Sequence, residues 1–197
     1  SPEEGWVEFI FMGIGKTTTM LSTLEPGDYL RDVTGPLGQP TEMGDGTWAV
    51  IGGGVGLAIA FPVARQLKAT GHEVHAIMGA RTKDLLLLED QFRSEFDDEH
   101  VHITTDDGSY GEKGVVTAPL ERLLQEKKVD HVFCVGPVPM MKFSALTAEK
   151  YDTPIIASLN PIMVDGTGMC GCCRVEVDGQ TKFACVDGPD FDASAVD

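Results

Sequence analysis

The stretch WAVIGGGVGLAIAFPVARQLKATGHEVHAIM, residues 48–78, carries the pattern that decides the fold. Its apolar start at residues 48–51 predicts a β-strand, and the glycine turn that follows leads into a predicted helix over residues 58–70. Residues 73–78 predict a second strand. Strand, glycine turn, helix and strand together form a βαβ unit, which sets two parallel strands in one sheet with a right-handed crossover.

The glycines of this turn are candidates for binding a nucleotide. Gly53, Gly54 and Gly56 would let the backbone approach a pyrophosphate at the N-terminus of the helix, where free N–H groups and the helix dipole favour anions. The turn departs from the G-x-G-x-x-G pattern, because Leu57 stands three positions after Gly54. A tight strand-to-helix turn, as in any α/β domain, therefore stays open as the alternative.

The elements after residue 78 continue the alternation of strands and helices. Helices are predicted over residues 82–96, over 117–127 and after Met141, and strands over residues 101–104, 129–135 and 154–158. Such an order predicts a parallel sheet covered by helices. The loop that holds Asp106, Asp107 and Ser109 follows a strand, at the carboxyl end where α/β proteins usually bind their ligands.

The composition excludes several classes of partner. The 197 residues include 15 Lys and Arg against 31 Asp and Glu, a net charge of −16, which argues against binding to nucleic acid or anionic membranes. No apolar run approaches the roughly 20 residues that a membrane span needs, and no signal peptide is recognised. Clustered free cysteines indicate a reducing compartment, so a cytoplasmic location is expected.

Four of the five cysteines lie close together near the end of the sequence. Cys170 and Cys173 have the Cys-x2-Cys spacing, and with the later Cys185 they give most of the plant-type [2Fe–2S] pattern, in which Asp165 takes the place of the first cysteine. A zinc site built from three cysteines and an aspartate is the alternative, followed by thiols without a metal. Cys172 is either a spare thiol or a competitor for the place of Asp165.

The residues before the glycine turn have a different character. Strands are predicted over residues 6–11 and 29–33, and between them Gly-Lys-Thr-Thr at 15–18 resembles a phosphate loop. It is not a Walker A motif, because Ile10 stands where the first glycine is required. Two strands and a helix make a poor core, so residues 1–43 are expected to be the end of a larger β-rich domain that begins before residue 1.

The order of these motifs resembles one family along essentially the whole sequence. The motifs Gly-Lys-Thr-Thr, Gly-Pro-Leu-Gly, Gly-Gly-Gly-Val-Gly-Leu, Thr-Asp-Asp-Gly-Ser-Tyr-Gly and Gly-Pro-Val-Pro-Met-Met precede the cysteine-rich tail. This order resembles the electron transfer subunits of dihydroorotate dehydrogenase type B. It is closer still to the small (alpha) subunits of NADH-dependent reduced ferredoxin:NADP oxidoreductases, also known as sulfide dehydrogenase subunits.

The resemblance implies a ferredoxin reductase-like α/β architecture in three domains. Residues 1–43 would be the C-terminal part of a FAD-binding β-barrel, residues 44–157 an NAD-binding domain with a parallel sheet, and residues 158–197 a small [2Fe–2S] domain. Electrons would pass between NAD(H), FAD and the cluster to a larger redox subunit that carries flavin and iron–sulfur clusters. The flavin is required because nicotinamide transfers two electrons and the cluster one.

The resemblance also implies the site residues. The cluster ligands would be Asp165, Cys170, Cys173 and Cys185, which leaves Cys172 free. Gly53, Gly54 and Gly56 would face the pyrophosphate of NAD. The nicotinamide side would be lined by Asp106, Asp107, Ser109, Gly136 and Met140. The FAD phosphates would be approached by Gly15, Lys16, Thr17 and Thr18.

Alternative functions remain open from the sequence. One is the electron transfer subunit of dihydroorotate dehydrogenase B itself, and another is a non-enzymatic α/β nucleotide-binding module stapled by zinc. Arg81 follows the second predicted strand, where a basic side chain could bind the 2′-phosphate of NADP. The resemblance nevertheless favours NAD.

Overall fold

The chain forms two compact units, Ser1–Pro36 and Leu37–Asp197, of which the computed structural model describes residues 5–197. The described part of the first unit contains one helix, α1 (Lys16–Leu21), in otherwise irregular backbone. The strands predicted at residues 6–11 and 29–33 are therefore wrong. A strand needs a hydrogen-bonded neighbour, and none of the described strands pairs with these two segments.

The second unit is built on a seven-stranded sheet with the order β4-β3-β2-β1-β5-β6-β9. Its neighbouring strands are parallel except for β9, which runs antiparallel to β6. This confirms the predicted parallel sheet. The strands are β1 (Trp48–Gly53), β2 (Val74–Ala80), β3 (Val101–Thr105), β4 (Glu112–Lys113), β5 (His131–Val135), β6 (Ile155–Ser158), β7 (Arg174–Val177), β8 (Gln180–Phe183) and β9 (Asp190–Asp192).

Helices cover both faces of this sheet. They are α2 (Leu57–Ala69), α3 (Glu89–Glu95), α4 (Thr117–Gln125) and α5 (Val138–Glu149). One core cluster joins the sheet to α2 and α3, and a second joins it to α4 and α5. Every residue of β1 and β2 is buried, which is why these strands read as continuous apolar runs rather than as an alternating pattern.

The helix predicted over residues 82–96 forms only in its second half. A 3-10 turn at Lys83–Leu85 and an extended segment precede α3, and Leu88 adopts left-handed backbone angles with φ 61°. The successive residues Leu86, Leu87 and Leu88 all pack against the same core cluster. One face of a helix cannot present three consecutive side chains to a core, so the leucine run takes an irregular path instead.

The last part of the chain holds a hairpin of β7 and β8. Its two turn residues, Asp178 and Gly179, have φ values of 50° and 65°, which is the left-handed pair that a type I′ turn requires. A two-residue turn fixes the register of the hairpin, so the residues that flank it on both sides are opposed in a defined way.

Candidate functional site

The order of the sheet reverses at β1, which has β2 on one side and β5 on the other. In open α/β sheets, ligands bind outside the carboxyl ends of the strands at such a switch point. Gly53 ends β1 and Gly136 follows β5, and a Cβ on Gly136 would lie 3.1 Å from the Cα of Gly53. A Cβ on Gly53 would in turn collide with the sulfur of Met140. The structure therefore brings these three predicted residues together.

The turn into α2 combines close packing with an open side. A Cβ on Gly56 would collide with the carbonyl oxygen of Val135, so the start of the helix packs tightly on the end of β5. Gly54 has φ 55°, and no atom lies within 4 Å of the position its Cβ would take. The backbone of Gly54 thus faces open space at the start of α2, where a pyrophosphate would find free N–H groups.

Gly52 also belongs to this turn, although the sequence analysis did not select it. A Cβ there would lie 2.7 Å from a methyl group of Leu57 and 2.9 Å from the Cβ of Ala60. Because Gly52 has no side chain, α2 can pack closely on β1. The run of three consecutive glycines at residues 52–54 is the sequence signal that could have identified it.

The predicted loop residues after β3 form a separate group. The Asp107 carboxylate accepts the N–H of Ser109 at 2.9 Å, and hydrogen bonds from Ser109 lower the pKa of this carboxyl group. The hydroxyl of Ser109 accepts the N–H of Lys83 at 2.9 Å, which ties the loop to the segment after β2. Asp106 ties the loop to the end of β2, because its backbone N–H donates to the carbonyl of Ala80.

The sheet order separates this loop from the switch point. β2 and β1 stand between β3 and β5, a distance of three strand spacings or roughly 14 Å. The structure does not bring Asp106, Asp107 and Ser109 together with Gly136 and Met140. Their common placement on the nicotinamide side stays a prediction.

The predicted flavin segment lies in the first unit, at the start of α1. The hydroxyl of Thr18 accepts the N–H groups of Ile14 at 3.1 Å and Gly15 at 3.0 Å and so caps this short helix. Lys16 and Thr17 are exposed in the first turn. These residues offer backbone N–H groups and one cation to an anionic group.

The hairpin register brings two of the predicted cluster ligands together. Arg174 pairs with Phe183, so the residues one step further out face each other, and the N–H of Ala184 donates to the carbonyl of Cys173 at 3.0 Å. Cys185 follows directly. Both thiols are buried, and a hydrogen bond from the backbone of Cys185 lowers the pKa of the Cys173 thiol.

A loop of residues 165–172 supplies the other two predicted ligands. The carboxylate of Asp165 accepts the N–H of Thr167 at 2.9 Å with one oxygen and the N–H of Cys170 at 3.0 Å with the other. These hydrogen bonds, chiefly that from Thr167, lower the pKa of Asp165. The N–H of Cys172 points at the sulfur of Cys170, 3.5 Å away.

The loop lies against the hairpin. A Cβ on Gly168 would come within 2.7 Å of Val186, and the backbone of Gly168 hydrogen-bonds to the thiol of Cys185. Both segments thus direct N–H groups at cysteine sulfurs. Such hydrogen bonds are one of the means by which proteins set the potential of an iron–sulfur cluster.

The four predicted ligands are not gathered around a single point in this structure. Zinc would hold four ligands at a single centre, which puts sulfur atoms bound at 2.3 Å about 3.8 Å apart. Among the described residues, the one group of three or more donor atoms that all lie within 4.8 Å of one another is elsewhere in the chain. No three donor atoms of Asp165, Cys170, Cys173 and Cys185 all lie within that distance of one another.

The two remaining cysteines differ in their surroundings. Cys134 is completely buried in β5, where burial raises the pKa of its thiol to about 12, so it is an unreactive core residue. Cys172 is exposed beside Cys170, and a hydrogen bond to that neighbour raises its pKa. Its exclusion from the cluster stays a prediction.

Comparison with known proteins identifies both parts of this site. Residues 160–197 match the family described as the iron–sulfur cluster binding domain of dihydroorotate dehydrogenase B. Residues 50–145 match the oxidoreductase NAD-binding domain. A curated protein of Thermotoga maritima, named as a homologue of the electron transfer subunit of dihydroorotate dehydrogenase B, is 51% identical over 197 residues, covering 100% of this chain and 69% of its own length.

The chain belongs to the family of dihydroorotate dehydrogenase B electron transfer subunits. The subunit of Geobacillus kaustophilus is 35% identical over 98% of this chain and 75% of its own length. A chain solved in a study of flavin-based electron bifurcation by an NADH-dependent reduced ferredoxin-NADP oxidoreductase is 50% identical, with a TM-score of 0.82. That match covers 93% of this chain and 66% of the solved chain, so the sequence spans about two thirds of the length of this relative.

Family membership confirms the main predictions from the sequence. The fold is that of the ferredoxin reductase-like oxidoreductases. The chain is an electron transfer subunit of a larger complex. Within the chain, an NAD-binding domain precedes an iron–sulfur domain. The predicted cofactors, a [2Fe–2S] cluster, NAD and FAD, are those of this flavin-linked family. Within residues 5–197, no helix has the length and apolar character to cross a bilayer.

Proposed function

We propose that this chain passes electrons between NAD(H), FAD and a [2Fe–2S] cluster to a larger redox subunit that carries flavin and further iron–sulfur clusters. The single observation that carries the proposal is the placement of Cys173 and Cys185 by the hairpin register beside the Asp165 loop. The proposed domains are residues 1–43 for part of the flavin barrel, 44–157 for NAD binding and 158–197 for the cluster.

We infer that the glycine turn binds the NAD pyrophosphate. The open backbone at Gly54 and the tight packing at Gly53 and Gly56 support this role, because only residues without side chains leave room for close approach. Gly136 and Met140 would then face the nicotinamide. Asp106, Asp107 and Ser109, in the loop after β3 that is tied to the segment after β2, are proposed to line the nicotinamide side with them.

The proposed flavin contacts come from the first unit. The N–H groups at the start of α1 and the ammonium group of Lys16 suit the phosphates of FAD. When bound, FAD converts the electron pair of a hydride into single electrons, which is the chemistry the cluster needs. The contacts proposed for this cofactor are Gly15, Lys16, Thr17 and Thr18.

We further propose the type of complex and its location. The 50% identity to the chain of the ferredoxin-NADP oxidoreductase study supports an enzyme of that type, with a dihydroorotate dehydrogenase B complex as the second candidate. NADH is the preferred donor over NADPH. The solvent-exposed thiols of Cys170 and Cys172 favour a reducing compartment, which we take to be the cytoplasm.

The cluster is tested by electron paramagnetic resonance of the anaerobically purified chain before and after reduction with dithionite. A rhombic S = 1/2 signal that appears on reduction, together with matching iron and acid-labile sulfide, is the expected result. Stoichiometric zinc in a sample without this signal would replace the electron transfer proposal with the zinc-stapled module. A sample without iron or zinc would contradict both.

Substitution of Asp165 separates its two possible roles. As a ligand, the carboxylate supplies a hard anionic donor, so Asp165→Cys should keep the cluster but change its absorption spectrum and midpoint potential. As a loop organiser alone, Asp165 would act through its bonds to Thr167 and Cys170, and Asp165→Asn would preserve part of them. Spectra of Asp165→Cys and Asp165→Asn that both equal the wild-type spectrum would exclude ligation.

A further inference from the structure

Three potential metal ligands, Glu73, His75 and His100, lie close together at the amino ends of the sheet strands. The nucleotide crevice lies at the opposite, carboxyl ends. Glu73 directly precedes β2, and His75 is the second residue of that strand. His100 ends the 3-10 turn that leads into β3. The parallel register pairs Ala76 with Val101, so one step towards the amino ends His75 meets His100. The seven residues of β2 separate this group from the crevice by about 20 Å.

The three donor atoms have the spacing of ligands on one metal ion. Nε2 of His100 lies 3.4 Å and Nε2 of His75 lies 3.8 Å from the same carboxylate oxygen of Glu73. All three atoms are within 4.8 Å of one another. A tetrahedral zinc ion with bonds of about 2.05 Å would set such atoms about 3.3 Å apart, so small side-chain movements complete the site.

The most buried member of the group lacks a partner. His75 is only 6% exposed, and its Nε2 has no hydrogen-bond partner although it is closed off from solvent. A buried polar atom without a partner lowers the stability of the folded state. The carboxylate oxygen of Glu73 lies 3.8 Å from this atom, beyond hydrogen-bond distance, and is 3.4 Å from Nε2 of His100.

His102 occupies the place of an outer-shell partner. Its Nε2 lies 3.3 Å from Nδ1 of His75, the ring nitrogen that faces away from Glu73. If Nδ1 of His75 carries the proton, it donates a hydrogen bond to Nε2 of His102. Nε2 of His75 then has a free lone pair on the side of the Glu73 carboxylate. Metal-binding histidines are usually oriented in this way, by a hydrogen bond from the nitrogen that does not bind the metal.

The neighbouring cations do not cancel the charge of Glu73. Lys128 is engaged with Glu126 at 2.7 Å, and Arg122 forms a paired contact with Glu112.

We propose that Glu73, His75 and His100 bind a divalent transition metal ion, with zinc as the best match to two imidazoles and one carboxylate. The fourth position faces solvent, because the side chain of Glu73 is exposed and that of His100 is partly so. Two imidazoles, a carboxylate and an open position form the ligand set of many zinc sites. The site would join the starts of β2 and β3, and it is independent of the proposed electron transfer.

The test uses zinc as the probe and the full chain, purified without a polyhistidine tag and with its iron–sulfur cluster in place. One equivalent of zinc should stay bound through gel filtration. X-ray absorption at the zinc edge should show only nitrogen and oxygen ligands at about 2.0–2.1 Å. Sulfur neighbours at about 2.3 Å would place the zinc at the cysteines and overturn the proposal, as would zinc that is lost on the column.

Substitutions of exposed or partly exposed side chains locate the site without disturbing the core. Glu73→Gln and His100→Gln should each weaken zinc binding by at least about tenfold, since even outer-shell partners contribute tenfold to 100-fold. Glu99→Gln and His72→Gln remove the same groups from neighbouring positions outside the site and should leave the affinity unchanged. Equal affinities in all four variants would overturn the proposal.

Discussion

Cys185→Ser should remove the iron–sulfur cluster from the purified chain and leave the seven-stranded sheet folded. Cys185 is buried two residues beyond the end of β8, and the hairpin register holds it beside Cys173. A serine hydroxyl is neutral in the free side chain and binds iron more weakly than a thiolate, so iron and sulfide should fall by roughly tenfold or more. The core clusters of the sheet do not contain Cys185, so the far-ultraviolet circular dichroism should remain close to that of the wild type.

Cys172→Ser is the matched control for this loss. Cys172 is the same residue type in the same segment, it is exposed, and it is two positions from Cys170. It should keep the iron content, the sulfide content and the signal on reduction. A chain that retains its cluster after Cys185→Ser but loses it after Cys172→Ser would reverse the ligand assignment and leave the hairpin without a role in the site.

The hairpin also shows what the sequence could predict about the cluster. The spacing of the cysteines indicated Cys170, Cys173 and Cys185 as ligands of one metal site. It did not show how the backbone brings Cys185 close to Cys173. The type I′ turn at Asp178 and Gly179 is the physical cause that brings Cys185 next to Cys173. An Asp-Gly pair between two short alternating segments is a recognised hairpin signal, so this part of the site was accessible from the sequence.

The parallel sheet was predictable because its strands are strongly apolar and separated by clear turns. The errors arose where tertiary contacts override local pattern. The leucine run before α3 is held by the core, and the hydroxyl of Tyr110 fixes the start of that helix by donating to Glu89 at 2.6 Å. The strands expected at residues 6–11 and 29–33 have apolar patterns but no neighbouring strand in the described part of the chain.

The group of Glu73, His75 and His100, in contrast, could not be predicted from the sequence. His75 and His100 are 25 positions apart, and each lies in a segment where a histidine is ordinarily a packed or edge residue. Only the register of β2 against β3, with Ala76 opposite Val101, places them side by side. Register between parallel strands depends on the crossover connection and on packing, which a single sequence does not reveal.

Gly54→Ala should weaken NADH binding by on the order of 100-fold, about 2.7 kcal/mol, in addition to the loss of stability that alanine causes at a left-handed position. Gly54 has φ 55°, and its missing Cβ would point into open space, so an added methyl group touches no protein atom. That space is where the proposed pyrophosphate approaches the backbone. The methyl group would therefore hold the anion away from the N–H groups at the start of α2.

Gly71→Ala is the control for the strain that this substitution introduces. Gly71 has φ 93°, also with no atom within 4 Å of an added Cβ, and it lies beyond the other end of α2. Both alanines carry the cost of a left-handed backbone, about 1–2 kcal/mol, so the two variants should lose similar thermal stability. Titration of NADH fluorescence should then show weakened binding in Gly54→Ala and wild-type binding in Gly71→Ala. Equal affinities in the two variants would remove the pyrophosphate from this turn and leave Gly54 with a purely conformational role.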